Sequence, residues 1–350
     1  TDQDRYQLMT FNGLEISEVS AELGGESVLQ SISFKLQEGN VLAVLGPSGC
    51  GKSTLLKVIA GIVTPTDGQI LWNSVDILKT SAHKRGIGLM FQNNALFPHM
   101  NVHDNIRFGL EILSIPNDEA NDRTADLLEL VDLKGYGDRA VDSLSGGESQ
   151  RVALARVLAP EPKVVLLDEP FNSLDRALRR TLVDQVFEIL RAKKITSIHV
   201  THEGDEASQF SDSILIIENG QIMNKGTFAE IIDFPLNVLS ADLIGLRTIW
   251  VPDAQFHNGK WTFMTPWGAK EYNGQKSERY QLLLRPDHVQ ISNDGLEAVV
   301  TKNFHTAGQK YINCRVGNIK NLAVLVDSGF SVGESIYLSV DLESIEVLVA

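Results

Sequence analysis

The chain has only two cysteines in 350 residues, Cys50 and Cys314, so no disulfide framework can staple it. That usage suits a reducing compartment. Long apolar runs are missing as well: none reaches the roughly 18 residues of a membrane-crossing helix, and the first residues carry no secretory pattern. Positive charge is scarce, with 31 Lys and Arg against 45 Asp and Glu and a net charge of −14. This excludes a nucleic-acid partner, because phosphate backbones are held by clustered Lys and Arg. An anionic ligand must then be held locally, by backbone amides and a few lysines. A cytoplasmic protein is expected, and any membrane role must come through a partner.

What is present is enough for two domains, since 43% hydrophobic residues can fill two cores. Short continuous apolar runs recur at 41–45 (VLAVL), 87–91 (IGLMF), 164–168 (VVLLD), 197–201 (SIHVT) and 214–218 (ILIIE). Runs without alternation, separated by helical stretches, indicate parallel strands covered on both faces. The expected class is α/β. Residues 93–145 turn mostly helical and read as an inserted lobe. After about residue 240 short strand-like pieces alternate with turn residues, the pattern of a small β-barrel or sandwich. The expected domains are therefore 1–240 and 241–350. Residues 1–10 are polar and expected to be loosely ordered.

GPSGCGKST, residues 46–54, follows the run 41–45 and opens a helix at Lys52. It fits the G-x-x-x-x-G-K-[ST] phosphate loop in its required strand–loop–helix setting. Gly46, Gly49 and Gly51 let the backbone curl, so that beyond Pro47, which has no N–H, the amides of Ser48, Cys50 and their neighbours through Thr54 turn toward phosphate oxygens. Lys52 can reach the β- and γ-phosphates, and the Ser53 hydroxyl can bind Mg²⁺. ATP and Mg²⁺ are the expected cofactors. VVLLDEP adds Asp168 at a strand end, a carboxylate for Mg²⁺, and Glu169 one residue on, a general base for the attacking water.

LSGGESQR, residues 144–151, raises a different question, since one phosphate loop is already present. Ser145 and Glu148 form an S-x-x-E capping box. Capping does not explain Gly146 and Gly147, which cost helix stability. Bare backbone there fits an anion approaching too closely for a Cβ, held by the serine hydroxyl, the amides and the helix dipole.

With LLDEP just downstream, this stretch resembles the signature motif of ATP-binding cassette (ABC) ATPases. Phosphate loop, FQ (Gln92), signature, LLDEP, SLD (173–175) and TH (His202) follow the family's order through residues 15–230. The resemblance implies a P-loop ABC cassette with a mixed sheet core and a helical lobe. It also implies that two copies pack head to tail, each signature helix capping the γ-phosphate held by the other copy. It assigns Gln92 to the attacking water or Mg²⁺, Asp175 to the dimer seam and His202 to the γ-phosphate. Members usually stack an aromatic on adenine about two dozen residues before the phosphate loop; counting back from Gly46 reaches Leu23 instead. Glu203 stands where an Asp usually follows the histidine.

Leu96, Phe97, Pro98 and Met100, in the loop 93–110, read as an exposed apolar cluster able to receive a partner helix. ALFPH followed by NIRFGL resembles the energy-coupling subunits of bacterial binding-protein-dependent importers. The resemblance implies membrane permease subunits seated on this loop, a solute-binding protein acting indirectly, and a peripheral place on the cytoplasmic face of the inner membrane. LLLRPDHVQI and the segments after it resemble the β-rich, OB-like (TOBE-like) regulatory domain of importers for ferric iron, sulfate, polyamines, molybdate and sugars. Dimer stabilisation and ligand-gated inhibition are the two roles this offers. The loop texture leans toward ferric iron as solute. A DNA-repair ATPase would need a long coiled coil where only about 90 residues separate Lys52 from the signature, and a translation-factor protein would carry two cassettes and a basic linker.

Overall fold

The structure is a computed structural model describing residues 11–91, 95–171, 176–202, 204–245, 248–276, 278–306 and 309–349. Residues 1–10, with their expected loose order, lie outside these, as do Gln92 and Asp175. The chain divides into two compact units, one of Thr1–His202 with Glu206–Lys225, the other of Glu203–Asp205 with Gly226–Ala350.

The first unit runs β1 (Gly13–Leu23), β2 (Glu26–Gln37), β3 (Val41–Leu45), α1 (Lys52–Ala60), β4 (Asp67–Trp72), β5 (Val75–Asp76), β6 (Ile87–Met90), α2 (Val102–Ile112) and α3 (Asn117–Leu130). The chain continues with α4 (Gly146–Leu158), β7 (Val164–Asp168), α5 (Arg176–Ala192), β8 (Thr196–Val200), α6 (Gly204–Phe210), β9 (Ser213–Glu218) and β10 (Gln221–Gly226). One sheet has the order β2-β1-β4-β5 with antiparallel pairing. The other has the order β10-β9-β3-β8-β7-β6, in which β3 runs parallel to β8 and β9, and β7 parallel to β6 and β8. The five apolar runs are β3, β6, β7, β8 and β9 to within one residue at either end. Every residue of β3, β7 and β8 is buried, which is why these strands show no alternation.

Leu55, Leu56, Val58 and Ile59 of α1 pack against Val44, Leu166, Ile198 and Leu215 of this sheet. Val102, Ile106, Leu110, Leu127, Leu128 and Leu154 of α2, α3 and α4 join a second cluster with Leu167, Phe187 and Leu190. Burying each such side chain is worth about 1.5–3 kcal/mol, against about 1 kcal/mol for a helix cap, so packing rather than capping holds the lobe. The end of α1 is fixed too. Arg85 donates to the carbonyls of Val58 and Ile59, at 3.1 and 2.9 Å, beside Gly61, whose φ of 82° a side chain would resist.

The second unit opens with helices Phe228–Asp233 and Val238–Leu243, so its compact body begins ahead of residue 240. The rest is strand. One three-stranded sheet holds Ile249–Trp250, Tyr280–Leu283 and Glu346–Val349, and another holds Asp253–His257, Lys260–Thr265 and Gly268–Asn273. A four-stranded antiparallel sheet is made of Ile319–Val326, Gln309–Val316, Val289–Thr306 and Ser335–Val340, in that order. Phe263, Leu282, Ile312, Leu322, Val324 and Leu338 fill its core. The β-rich C-terminal region expected from the sequence is present. Among the described residues no helix is long and apolar enough to cross a membrane.

Candidate functional site

The glycine loop begins where β3 ends, at the carboxyl edge of the parallel sheet. Gly51, the N-cap of α1, has φ 107°, and a Cβ there would stand 2.8 Å from the Val28 carbonyl oxygen. Gly46 has φ 155°, with its missing Cβ 2.2 Å from the Ile217 carbonyl oxygen. These positions admit no side chain because β2 and β9 press on the loop from outside. Lys52 is buried, and its Nζ donates to the carbonyls of Gly46 at 2.8 Å and Pro47 at 2.7 Å. Carbonyls thus draw the ammonium into the loop it closes. The Cys50 Sγ lies 3.9 Å from that Nζ; burial pushes its thiol pKa up while Lys52 pulls the other way.

Ser53, in the first turn of α1, donates a 2.8 Å hydrogen bond to Asp168 Oδ1. Asp168 ends β7 and is buried. Burial raises its pKa and Glu169 adds to the rise, against the Ser53 hydrogen bond, Lys57 and Lys52. A desolvated carboxylate beside a hydroxyl is an all-oxygen donor pair that a hard cation would relieve. Glu169 follows with φ 46°, a left-handed conformation costing a non-glycine residue roughly 1 kcal/mol or more. The strained turn directs Glu169 off the strand line.

The second glycine-rich helix start forms as the sequence predicts. Ser145 caps α4, its hydroxyl accepting from the Glu148 amide at 3.3 Å while the Glu148 carboxylate accepts from the Ser145 amide at 2.7 Å. Those bonds lower the Glu148 pKa, with help from Tyr136 and Arg139. Ser145 and Gly146 are exposed and Gly147 is buried. Leu23, the residue reached where an adenine-stacking aromatic is expected, ends β1 opposite Glu26 and is 44% exposed. Its hairpin continues into Val28 and Leu29, which touch Gly51.

His202 is exposed just past β8. The residue before it is held on two sides: the Thr201 amide donates to the Val44 carbonyl at 3.2 Å, and its hydroxyl donates to Glu206 Oε2 at 2.5 Å. Arg179 reaches the same oxygen at 3.0 Å. His199 Nε2 lies 3.5 Å from Glu206 Oε1. Burial lowers the His199 pKa; Glu206 opposes this and Arg179 adds to it.

The loop expected to expose an apolar cluster does so only in part. Pro98 is exposed, but Leu96, Phe97 and Met100 are half-buried. Leu96 packs on the lobe core, the Phe97 ring lies tilted against Phe108 with centroids 4.6 Å apart, and the Arg156 guanidinium sits 5.2 Å above the Phe97 ring. The physical reason is Asn105 of α2, fully buried. Its Oδ1 accepts from the Phe97 amide at 2.8 Å, and its Nδ2 donates to the carbonyls of Phe97, Met100 and Asn101. One side-chain amide folds the loop inward. Asn105, Arg156, Thr201, Arg179 and Glu206 were not singled out from the sequence. The only signal for Asn105 is a polar residue on the apolar face of α2, between Val102 and Ile106.

Comparison with known proteins agrees with this geometry. The family model described as ABC transporter matches residues 29–172. The Fe(3+) ions import ATP-binding protein FbpC of Photobacterium profundum is 36% identical over 288 residues, 81% of either chain. The spermidine/putrescine import ATP-binding protein PotA of Spiroplasma citri is 36% identical over 353 residues, 97% of this chain and 98% of that one. Among solved structures, the dimeric post-hydrolysis state of the ATP-binding cassette MJ0796 bound to ADP and Pi superposes with a TM-score of 0.55 at 25% identity, covering 61% of this chain and 98% of that one.

Proposed function

The chain belongs to the ATP-binding proteins of ABC import systems, ATP-hydrolysing transport ATPases, and from that premise we propose that ATP-driven closure of a head-to-tail dimer of this chain powers import of a small solute through membrane permease subunits. The observation that carries the reading is the Ser53–Asp168 contact at the mouth of the glycine loop. It joins the two halves of a triphosphate site at the carboxyl edge of the parallel sheet.

In this reading Lys52 exchanges the carbonyls of Gly46 and Pro47 for the β- and γ-phosphates, and the loop amides from Ser48 to Thr54 cradle the same oxygens. Ser53 and Asp168, with Gln92, would hold Mg²⁺, which supplies neutralisation of phosphate charge. Glu169 takes the proton of the attacking water, and His202 meets the γ-phosphate. Ser145, Gly146 and Gly147 of the second copy close over that phosphate with their amides and helix dipole, so no arginine is needed there. Asp175 lies at the seam and Leu23 against adenine. The permease seat is the segment 93–110, its loop presented by Pro98 over a base fixed by Arg156 and by Asn105 of α2. The protein would then sit peripherally at the cytoplasmic face of the inner membrane. Mg-ATP turnover by the purified chain, lost in Glu169→Gln, tests the chemistry.

Ferric iron is the solute that the loop texture and the FbpC relatives favour. A second reading, polyamine import, is favoured by the PotA relative spanning 97% of this chain. Stimulation of turnover in the assembled permease complex by an iron-loaded or a polyamine-loaded binding protein separates the two.

A further inference from the structure

Glu206 is an acidic side chain with no place in the interior on grounds of stability. It is buried, and its Oε1 has no hydrogen-bond partner among the described residues. An orphaned buried acceptor is destabilising, and an apolar residue in place of a buried ion pair is often neutral or better. What Glu206 does have is two partners on elements that converge on the reacting phosphate. Thr201 donates to Oε2 at 2.5 Å and Arg179 at 3.0 Å. Thr201 directly precedes His202 and is tied through its amide to Val44, on the strand that feeds the glycine loop. Arg179 stands in the first turn of α5, the helix following the residues 172–175 beyond Glu169. The remaining face of the carboxylate looks onto His199, which is fully buried between the ring edges of Phe171 and Phe187, with centroids 6.5 and 5.1 Å away.

We infer that Glu206 is a positioning residue for hydrolysis: it locks the Thr201 hydroxyl and the start of α5 together, and so fixes where His202 stands relative to the γ-phosphate. The inference rests on the ATPase reading above and extends it to a residue without contact to nucleotide. Because the network touches the strand end behind His202 and not the loop that holds the phosphates, it acts on turnover and leaves affinity alone. Arg179 and His199 are the charged and titratable side chains that face Glu206. Burial lowers the His199 pKa, and Arg179, 3.0 Å from the carboxylate, is the charge that balances it.

The test compares Thr201→Val, Thr201→Ser and Glu206→Gln with wild type, using MgATP and reading turnover, ATP affinity and thermal midpoint. The expected result is a fall in turnover of about tenfold for Thr201→Val and Glu206→Gln, a factor that corresponds to about 1.4 kcal/mol. ATP affinity stays within about twofold, and Thr201→Ser, which restores the hydroxyl, stays near wild type. A role confined to stability predicts lower midpoints with unchanged turnover below them, or equal losses in Val and Ser variants, and either overturns the inference. A parallel loss of affinity and turnover overturns it as well. Wild-type protein that hydrolyses no ATP contradicts the ATPase reading itself, whereas normal wild-type turnover with an unaffected Thr201→Val variant contradicts only the role of Glu206.

Discussion

Ser53 Oγ donates to Asp168 Oδ1 at 2.8 Å, joining residues 115 positions apart in sequence. This contact aligns the first turn of α1 with the end of β7. Lys52, Ser53 and Asp168 then lie at the carboxyl edge of one parallel sheet, while the second glycine-rich helix start, at Ser145, begins a different helix of the lobe.

The two glycine-rich sites are predicted to separate cleanly. Lys52→Ala removes the full charge from the loop and should weaken ATP binding to a single copy by about 10–100-fold, since a hydrogen bond to a charged group is worth about 1.5–3 kcal/mol. Ser145→Arg should leave that binding nearly intact and stop turnover, because a bulky cation blocks the closed dimer. Nucleotide titration with a parallel turnover assay measures both. Equal loss of binding in the two variants would mean that the signature helix serves its own chain's ATP.

Leu23 presents an exposed aliphatic side chain at the hairpin tip next to the strand touching Gly51. Base stacking on an aromatic is worth about 1–3 kcal/mol. Wild type should therefore discriminate poorly between ATP and GTP, and Leu23→Tyr should tighten ATP binding by up to about tenfold, or 1.4 kcal/mol. Titration of both nucleotides against both proteins decides it; a strong ATP preference untouched by the substitution would place adenine elsewhere.

Stability of the first unit should fall at mildly acidic pH through His199. Burial holds its pKa below the ordinary 6.5. Above about pH 6.5 the ring is neutral folded and unfolded, and no difference arises. As pH falls below 6.5 the unfolded chain takes up a proton that the folded ring refuses, so stability declines until the folded ring also protonates. His199→Phe, seated between Phe171 and Phe187, should show a shallower decline than wild type in denaturant unfolding from pH 7.5 to 5. Identical slopes would contradict it.

Much of this was legible in the sequence because the signals were strong and local. Strands buried on both faces write themselves as unbroken apolar runs, and Gly46 and Gly51 are required by close backbone neighbours. The exposure of 96–100 was not legible. It depends on Asn105, whose amide bonds three loop carbonyls across a turn, a relation no periodicity encodes. Glu206 was hidden for a similar reason: in THEGDE an acid reads as solvent-facing, and only the fold brings Arg179 and Thr201 to it.

The central claim, that two copies share their ATP sites, is tested most directly by light scattering of Glu169→Gln with and without MgATP. The substitution removes the general base and leaves the loop, Ser53 and Asp168 in place. The account predicts that MgATP shifts the variant from single copies toward dimer, and that the shift survives truncation after Lys225, where the first unit ends. A cassette association in this variant that MgATP leaves unchanged would contradict the shared site.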